Sequence, residues 1–122
     1  MASAQSLSAN QAQAIARGLK ASPQKLNLVA ATIRGRHVSV ALSNLAFMKQ
    51  KVAKDVAKAL SSAVANAENN HQLDVDSLFV KEAFVGKSMT LRRFHARGRG
   101  RGARIEKHYS QITVVVEERG AA

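Results

Sequence analysis

The stretch from Gly86 to His108 constrains the fold more than any other part of the chain, because it carries too much charge and too little hydrocarbon to build an interior. It holds eight basic residues, Lys87, Arg92, Arg93, Arg97, Arg99, Arg101, Arg104 and Lys107, against a single acid, Glu106. Gly98, Gly100 and Gly102 alternate with the arginines. Yet it is bracketed by strand-forming sequence, from about Ser77 to Val85 before it and Ile112-Thr113-Val114-Val115-Val116 after it, the latter β-branched throughout. Apolar residues at a period of two run on into it, Met89 and Leu91 on one arm and Ile105 on the other. The pattern predicts a long hairpin. Two arms of about 13 residues, at ~3.3 Å per residue, would project on the order of 40 Å. A ribbon of two strands is marginal by itself in water, so this one needs an external partner.

The rest of the chain reads as a small helical body. Ile15 to Ala21 suggests a short strand. Ser22-Pro23 opens a helix, with Ser22 accepting from a free first-turn amide and Pro23 suited to the first helical position. Leu26, Val29, Ala30 and Ile33 form its apolar face, and Gly35 is expected to end it in a left-handed conformation. A second helix is expected after Ser39 as its cap, with Leu42, Leu45 and Ala46 on its apolar side. A third, about Gln50 to Asn66, carries the stripe Val52, Val56, Ala59, Leu60, Ala63, Val64 and Ala67, where the alanines let another element approach closely. Asn69, Asn70 and His71 are expected to break it. Lys51, Lys54 and Lys58 share another face, which suits either a solvated surface or an RNA contact. Ile112 to Val116 is apolar on both sides, as a central or covered strand is.

The net charge is +11, from nineteen Lys and Arg against eight Asp and Glu. That excess makes physical sense beside a polyanion, where neutralised phosphates release condensed counterions. Arginine offers phosphate a planar fork of donors and stacks on bases. The glycines let backbone lie close to RNA, and the rings of Phe94 and His95 suit an unpaired base. Other chemistries fare poorly. Gly86-Lys87-Ser88 has Lys81 where a phosphate loop needs its first glycine. His37, His71, His95 and His108 show no zinc spacing, Asp74 and Asp76 fit a turn, and no serine sits in a nucleophile elbow. There is no cysteine and no apolar run near the roughly 20 residues that span a bilayer. Met1 to Ala16 lacks a hydrophobic stretch, so it is not a secretory signal. No enzyme, metal, cofactor or membrane is expected.

Ser22-Pro23-Gln24-Lys25, Ile33-Arg34-Gly35, Ser62-Ala63-Val64-Ala65-Asn66-Ala67-Glu68-Asn69-Asn70, Arg99-Gly100-Arg101 with Arg104-Ile105, and Ser110-Gln111-Ile112-Thr113-Val114-Val115-Val116 occur in one order. Together they resemble the bacterial-type large-subunit ribosomal protein L-twenty-two family, over about Ala14 to Glu118. The resemblance implies an α+β fold, with three helices packed on a small three-stranded antiparallel sheet and a long protruding β-hairpin. The Ala, Ser and Gln-rich start is expected to be a flexible tail at 1–13, outside the family pattern, before one domain at 14–118 with the hairpin at about 85–105 and a C-terminal tail at 119–122. The resemblance further implies a scaffold that binds large-subunit ribosomal RNA, aids subunit assembly and lines the polypeptide exit tunnel with its hairpin. The expected RNA-binding residues are Arg17, Lys20, Lys25, Arg34, Arg36, Lys87, Arg92, Arg93, Arg97, Arg99, Arg101, Arg104 and Lys107. The expected tunnel-lining tip is Phe94, His95, Ala96, Arg97, Gly98, Arg99 and Gly100. Expected partners are that RNA, neighbouring ribosomal proteins including L-four at the tunnel constriction, and the nascent polypeptide, with no self-association. The expected location is a cytoplasmic ribosome ahead of an organelle one. This chain departs from the family pattern at Gly86-Lys87-Ser88-Met89, where an acidic Asp-Glu-Gly-Pro stretch is common, and at Ala96, where a tip proline is common. The rival binding class is a free RNA chaperone or regulator with an Arg-Gly arm.

Overall fold

Strand β1 (Gln11–Leu19), helices α1 (Pro23–Ala31), α2 (Val38–Phe47) and α3 (Ala53–His71), and strands β2 (Leu78–Ala96) and β3 (Gly102–Glu118) follow in that order. The computed structural model describes residues 9–96, 100 and 102–119, and at 88, 89, 91–96 and 103–106 it describes the backbone alone. The three strands form one antiparallel sheet in the order β1-β3-β2. The run Ile112 to Val116 is therefore central, as its two apolar sides require. β1 starts at Gln11, inside the stretch expected as tail, because Gln11 and Ala12 pair with Glu117 and Val116.

One sheet face carries the core. Ala12 and Ala14 of β1, Ile112, Val114 and Val116 of β3, and Leu78, Val80 and Ala83 of β2 join the buried stripes of α1 and α3 in one cluster. Ala59, Ala63 and Ala67 belong to it. Small residues on both α3 and β1 let helix and strand approach closely, and Asn66 Nδ2 donates to Gln13 O at 2.9 Å along that seam. The opposite face has no helix on it among the described residues. Ile15 and Phe84, which flank Thr113 in register, are 43% and 46% exposed. Val115 is nonetheless buried between its neighbours Gln13 and Glu82.

The helix ends show which local rules governed. Ser22 Oγ accepts from Lys25 N and Pro23 occupies the first turn, as expected. α1 stops at Ala31, earlier than expected. Gly35 does take positive φ, 74°, but in the turn beyond the helix. There its N–H donates to Val80 O at 2.8 Å, while Val80 N donates to Arg36 O at 2.9 Å, so the turn fastens α1 to β2. The cap of α2 is His37, not Ser39. Ser39 N–H can only donate, so the His37 Nδ1 at 3.1 Å accepts, which leaves Nε2 to carry the proton and donate to Asp76 O at 2.7 Å. Ala46 is exposed, and the buried face of α2 is Val38, Ala41 and Leu45. α3 runs on through Asn69, Asn70 and His71 because Ala67 is in the core and its carbonyl still has a taker. Gln72 turns left-handed at φ 54° and Leu73 N donates to Ala67 O at 2.9 Å.

At the far end of the sheet Glu117 Oε2 accepts from Gln11 Nε2 at 2.8 Å and lies 3.6 Å from Lys81 Nζ. The Gln11 bond is the main reason its carboxyl stays below the ordinary 4.5; burial opposes it, and the Lys81 and Arg119 charges add smaller lowering effects. A depressed folded-state value stabilises the fold above the unfolded-state value, and that contribution fades as pH falls through the folded one. Urea melts of wild type and Glu117→Gln should therefore differ by less than about 1 kcal/mol at neutral pH, with the gap closing as pH drops below 4.5. A gap that stays constant down to acid pH would mean the carboxylate charge is irrelevant. Replacing the cap is expected to cost more. His37→Ala should lose about 1 kcal/mol and His37→Asn should recover part of it, read from the same melts.

Candidate nucleic-acid interface

The β2–β3 ladder outruns the sheet that roots it. It pairs from Leu78 with Glu118 to Ala96 with Gly102, whereas β1 stops at Leu19 opposite Ser110. Ser110 is fully buried and its hydroxyl donates to Ala21 O at 2.7 Å, closing that end of the core. Lys87 faces Ser110 across the ladder, and the register shifts between Lys87 and Met89. A bulge there bends and twists the strand where it leaves its support. Beyond it, Met89 to Ala96 pairs with Tyr109 to Gly102 as two strands only. Eight residues at ~3.3 Å each make this a ribbon of about 26 Å. The projection expected from the sequence is longer, because it counts arms that lie in the sheet.

Lys107 is exposed on the ribbon and Lys87 at its root. In register, Leu91 faces Lys107, Arg92 faces Glu106, Arg93 faces Ile105 and Phe94 faces Arg104. His95 and Ala96 complete the paired β2 arm, opposite Ala103 and Gly102. Gly100 takes a left-handed φ of 70° at the tip, which suits a residue without Cβ. Arg97, Gly98, Arg99 and Arg101 lie outside the described residues.

The expected RNA-binding residues of the body do not all gather at one place. Arg17, Lys20 and Lys25 are exposed, and the end of β1 and the start of α1 bring them toward the root of the ribbon near Lys87. Arg17 also lines an open cleft of about 540 Å³ with Gln13, Ile15, Ser62 and Asn66. Arg36 is exposed at the opposite end of the sheet. Arg34 is committed to the fold. Its Nε and Nη2 donate to Ala83 O at 3.0 and 2.9 Å, and Nη2 also reaches Asn27 Oδ1 at 2.6 Å. It therefore clasps α1 to β2, and those two nitrogens point at protein, not at solvent.

Arg119 is a basic residue that sequence reasoning does not single out. Its guanidinium lies 4.7 Å over the ring of Phe79, which also meets His37 edge-on at 5.0 Å. Nothing in the residue spacing foretells that contact, which only the fold creates. Asp74 and Asp76 belong to a turn, with Asp74 Oδ1 accepting from Asp76 N at 3.0 Å. Among the described residues no cluster of His, Cys, Asp or Glu is able to hold a metal, and no helix is long and apolar enough to cross a membrane.

Comparisons of the sequence with known proteins agree on one family. Residues 14–117 fit the sequence profile of the family described as ribosomal protein L22p/L17e. The chain is 60% identical over 117 residues to the large ribosomal subunit protein uL22 of Methylorubrum populi, covering 96% of this chain and 92% of that protein. It is 62% identical over 116 residues to the uL22 of Agrobacterium fabrum, covering 93% and 90%. Against the uL22 of Rhizobium meliloti it is 62% identical over 109 residues, covering 89% and 84%. On this sequence evidence, the chain belongs to the ribosomal protein L22p/L17e family, whose members are structural and non-enzymatic components of the large ribosomal subunit.

Proposed function

We propose that the chain binds large-subunit ribosomal RNA through its ribbon and the basic residues at the ribbon's root, and that it stabilises the packing of RNA helices during subunit assembly. The observation that carries this reading is the ladder continuing beyond Ser110 with neither a third strand nor a helix to cover it among the described residues. Its basic residues neutralise phosphates and its glycines let the backbone approach them. On this reading the tip, from Phe94 to Gly100, lines the polypeptide exit tunnel. The nascent chain passes it, L-four is its neighbour at the constriction, and the ribosome is a cytoplasmic one. The body anchors through Arg17, Lys20, Lys25 and Arg36, with Arg34 holding the anchor's shape.

A free chaperone with an Arg-Gly arm is the other binding class. Regular pairing as far as Ala96 and Gly102 favours a ribbon built to fit a channel over an irregular arm. Sedimentation decides between them, since a subunit component stays with the large subunit through moderate-salt washes and a chaperone remains at the top of the gradient.

Replacing Arg97, Arg99 and Arg101 together with alanine should leave the melting temperature unchanged and weaken assembly into the subunit. Every phosphate interaction removed should flatten the log–log salt dependence of RNA binding by about 0.7 to 0.9. A sharp fall in melting temperature would instead assign these residues to the fold. Arg34→Ala should behave in the opposite sense, costing about 1 kcal/mol of stability through removal of the carbonyl clasp while leaving the salt slope of the folded protein nearly unchanged.

A further inference from the structure

Phe47 is the most exposed large hydrophobic side chain among the described residues, at 88%. It ends α2, whose buried residues are Val38, Ala41 and Leu45. Two residues beyond Leu45 is about 200° around the helix, so the ring must face away from the core. The corner that carries it is held in place. Met48 is extended at φ −77° and ψ 141°, its N–H donates to Leu45 O at 3.3 Å, and its sulfur lies 3.6 Å from the Thr32 hydroxyl at the end of α1.

The chain that follows the ring is cationic. Lys49 and Lys51 lie in the connector, Lys54 in the first turn of α3 and Lys58 one turn further, all exposed, against the single acid Asp55. None of these lysine side chains makes a hydrogen bond or ion pair among the described residues. Protein-docking surfaces are contiguous apolar patches with charge at the rim, whereas the large apolar side chains exposed on α2 are only Phe47 and the half-exposed Val40, and four exposed lysines follow within eleven residues. The partner that satisfies both features is a polyanion that also offers flat, unpaired faces.

We infer that the α2–α3 corner is a second RNA contact, separate from the ribbon, in which Phe47 stacks on an unpaired base while Lys49, Lys51 and Lys54 hold the neighbouring phosphates. The inference rests on the reading of the chain as a binder of ribosomal RNA. It assigns to Lys51 and Lys54 the contact role that their spacing left open, and it adds a base-stacking residue that no periodicity marked.

The chain has no tryptophan, so Phe47→Trp places a single reporter at the corner. Titrating the full chain with transcribed large-subunit ribosomal RNA at low ionic strength should quench that tryptophan, and a fully paired RNA duplex should not. Phe47→Ala should weaken binding to the transcript roughly 5- to 100-fold with the salt slope and melting temperature unchanged. Lys49→Ala, Lys51→Ala and Lys54→Ala combined should lower the slope by about 2. Wild-type binding together with unquenched fluorescence from the Phe47→Trp chain, or with Phe47→Ala indistinguishable from wild type, would overturn the inference and leave the ribbon reading intact. A drop in the melting temperature of Phe47→Ala, or equal quenching by duplex, also overturns it. Failure of the wild-type chain to bind the transcript at all would instead remove the reading beneath it.

Discussion

The backbone ladder between β2 and β3 is the interaction on which the rest of the molecule depends. Over its first half it is one seam of a three-stranded sheet, buried under α1 and α3 through Leu78, Val80, Ala83, Ile112, Val114 and Val116. Over its second half it is the whole structure. The same hydrogen bonds are thus protected by a core at one end and left to solvent at the other. The change comes at Ser110 and Lys87, where β1 ends, the Ser110 hydroxyl seals the core against Ala21, and the register shift re-aims the strand. Rooting the ribbon in a packed sheet sets its direction and register before any partner arrives, so the partner has only to stiffen it.

Much of this is legible in the sequence because it rests on local rules. Ser22-Pro23 caps a helix wherever it occurs, and a β-branched run apolar on both sides has few places to go except the middle of a sheet. Where sequence and structure part, a tertiary contact outweighs a local preference. Asn69, Asn70 and His71 are poor helix formers, but Ala67 one turn earlier is buried and its carbonyl is capped by Leu73, so the helix carries on past them. Ser39 is the better cap by type, yet the His37 imidazole fills that role because Asp76 O, brought near by β2, fixes its proton on the other nitrogen. Arg34 is expected as an RNA contact because it is basic, and the structure adds to that expectation a fold role for Nε and Nη2. Its two committed nitrogens are invisible without the position of Ala83 O. Phe47 escapes notice for a related reason, since an apolar residue in a helix reads as core until the buried face is known.

Charge is sorted along the sheet as well as counted. Five of the eight acids, Asp74, Asp76, Glu82, Glu117 and Glu118, stand on β2, β3 and the turn before β2, toward the end away from the ribbon. Several are tied into the fold there, Glu117 to Gln11 and Lys81, Glu118 to the Asp74 amide, and Asp74 to its own turn. The ribbon and its root carry the basic excess with Glu106 as the one acid from Gly86 to His108. At the end away from the ribbon, Lys81, Arg36 and Arg119 stand beside the acids and offset them, so the positive excess is greatest toward the ribbon. On the proposed reading, that gradient steers the ribbon end toward a polyanion before any base is read, and shape decides how deeply the ribbon enters.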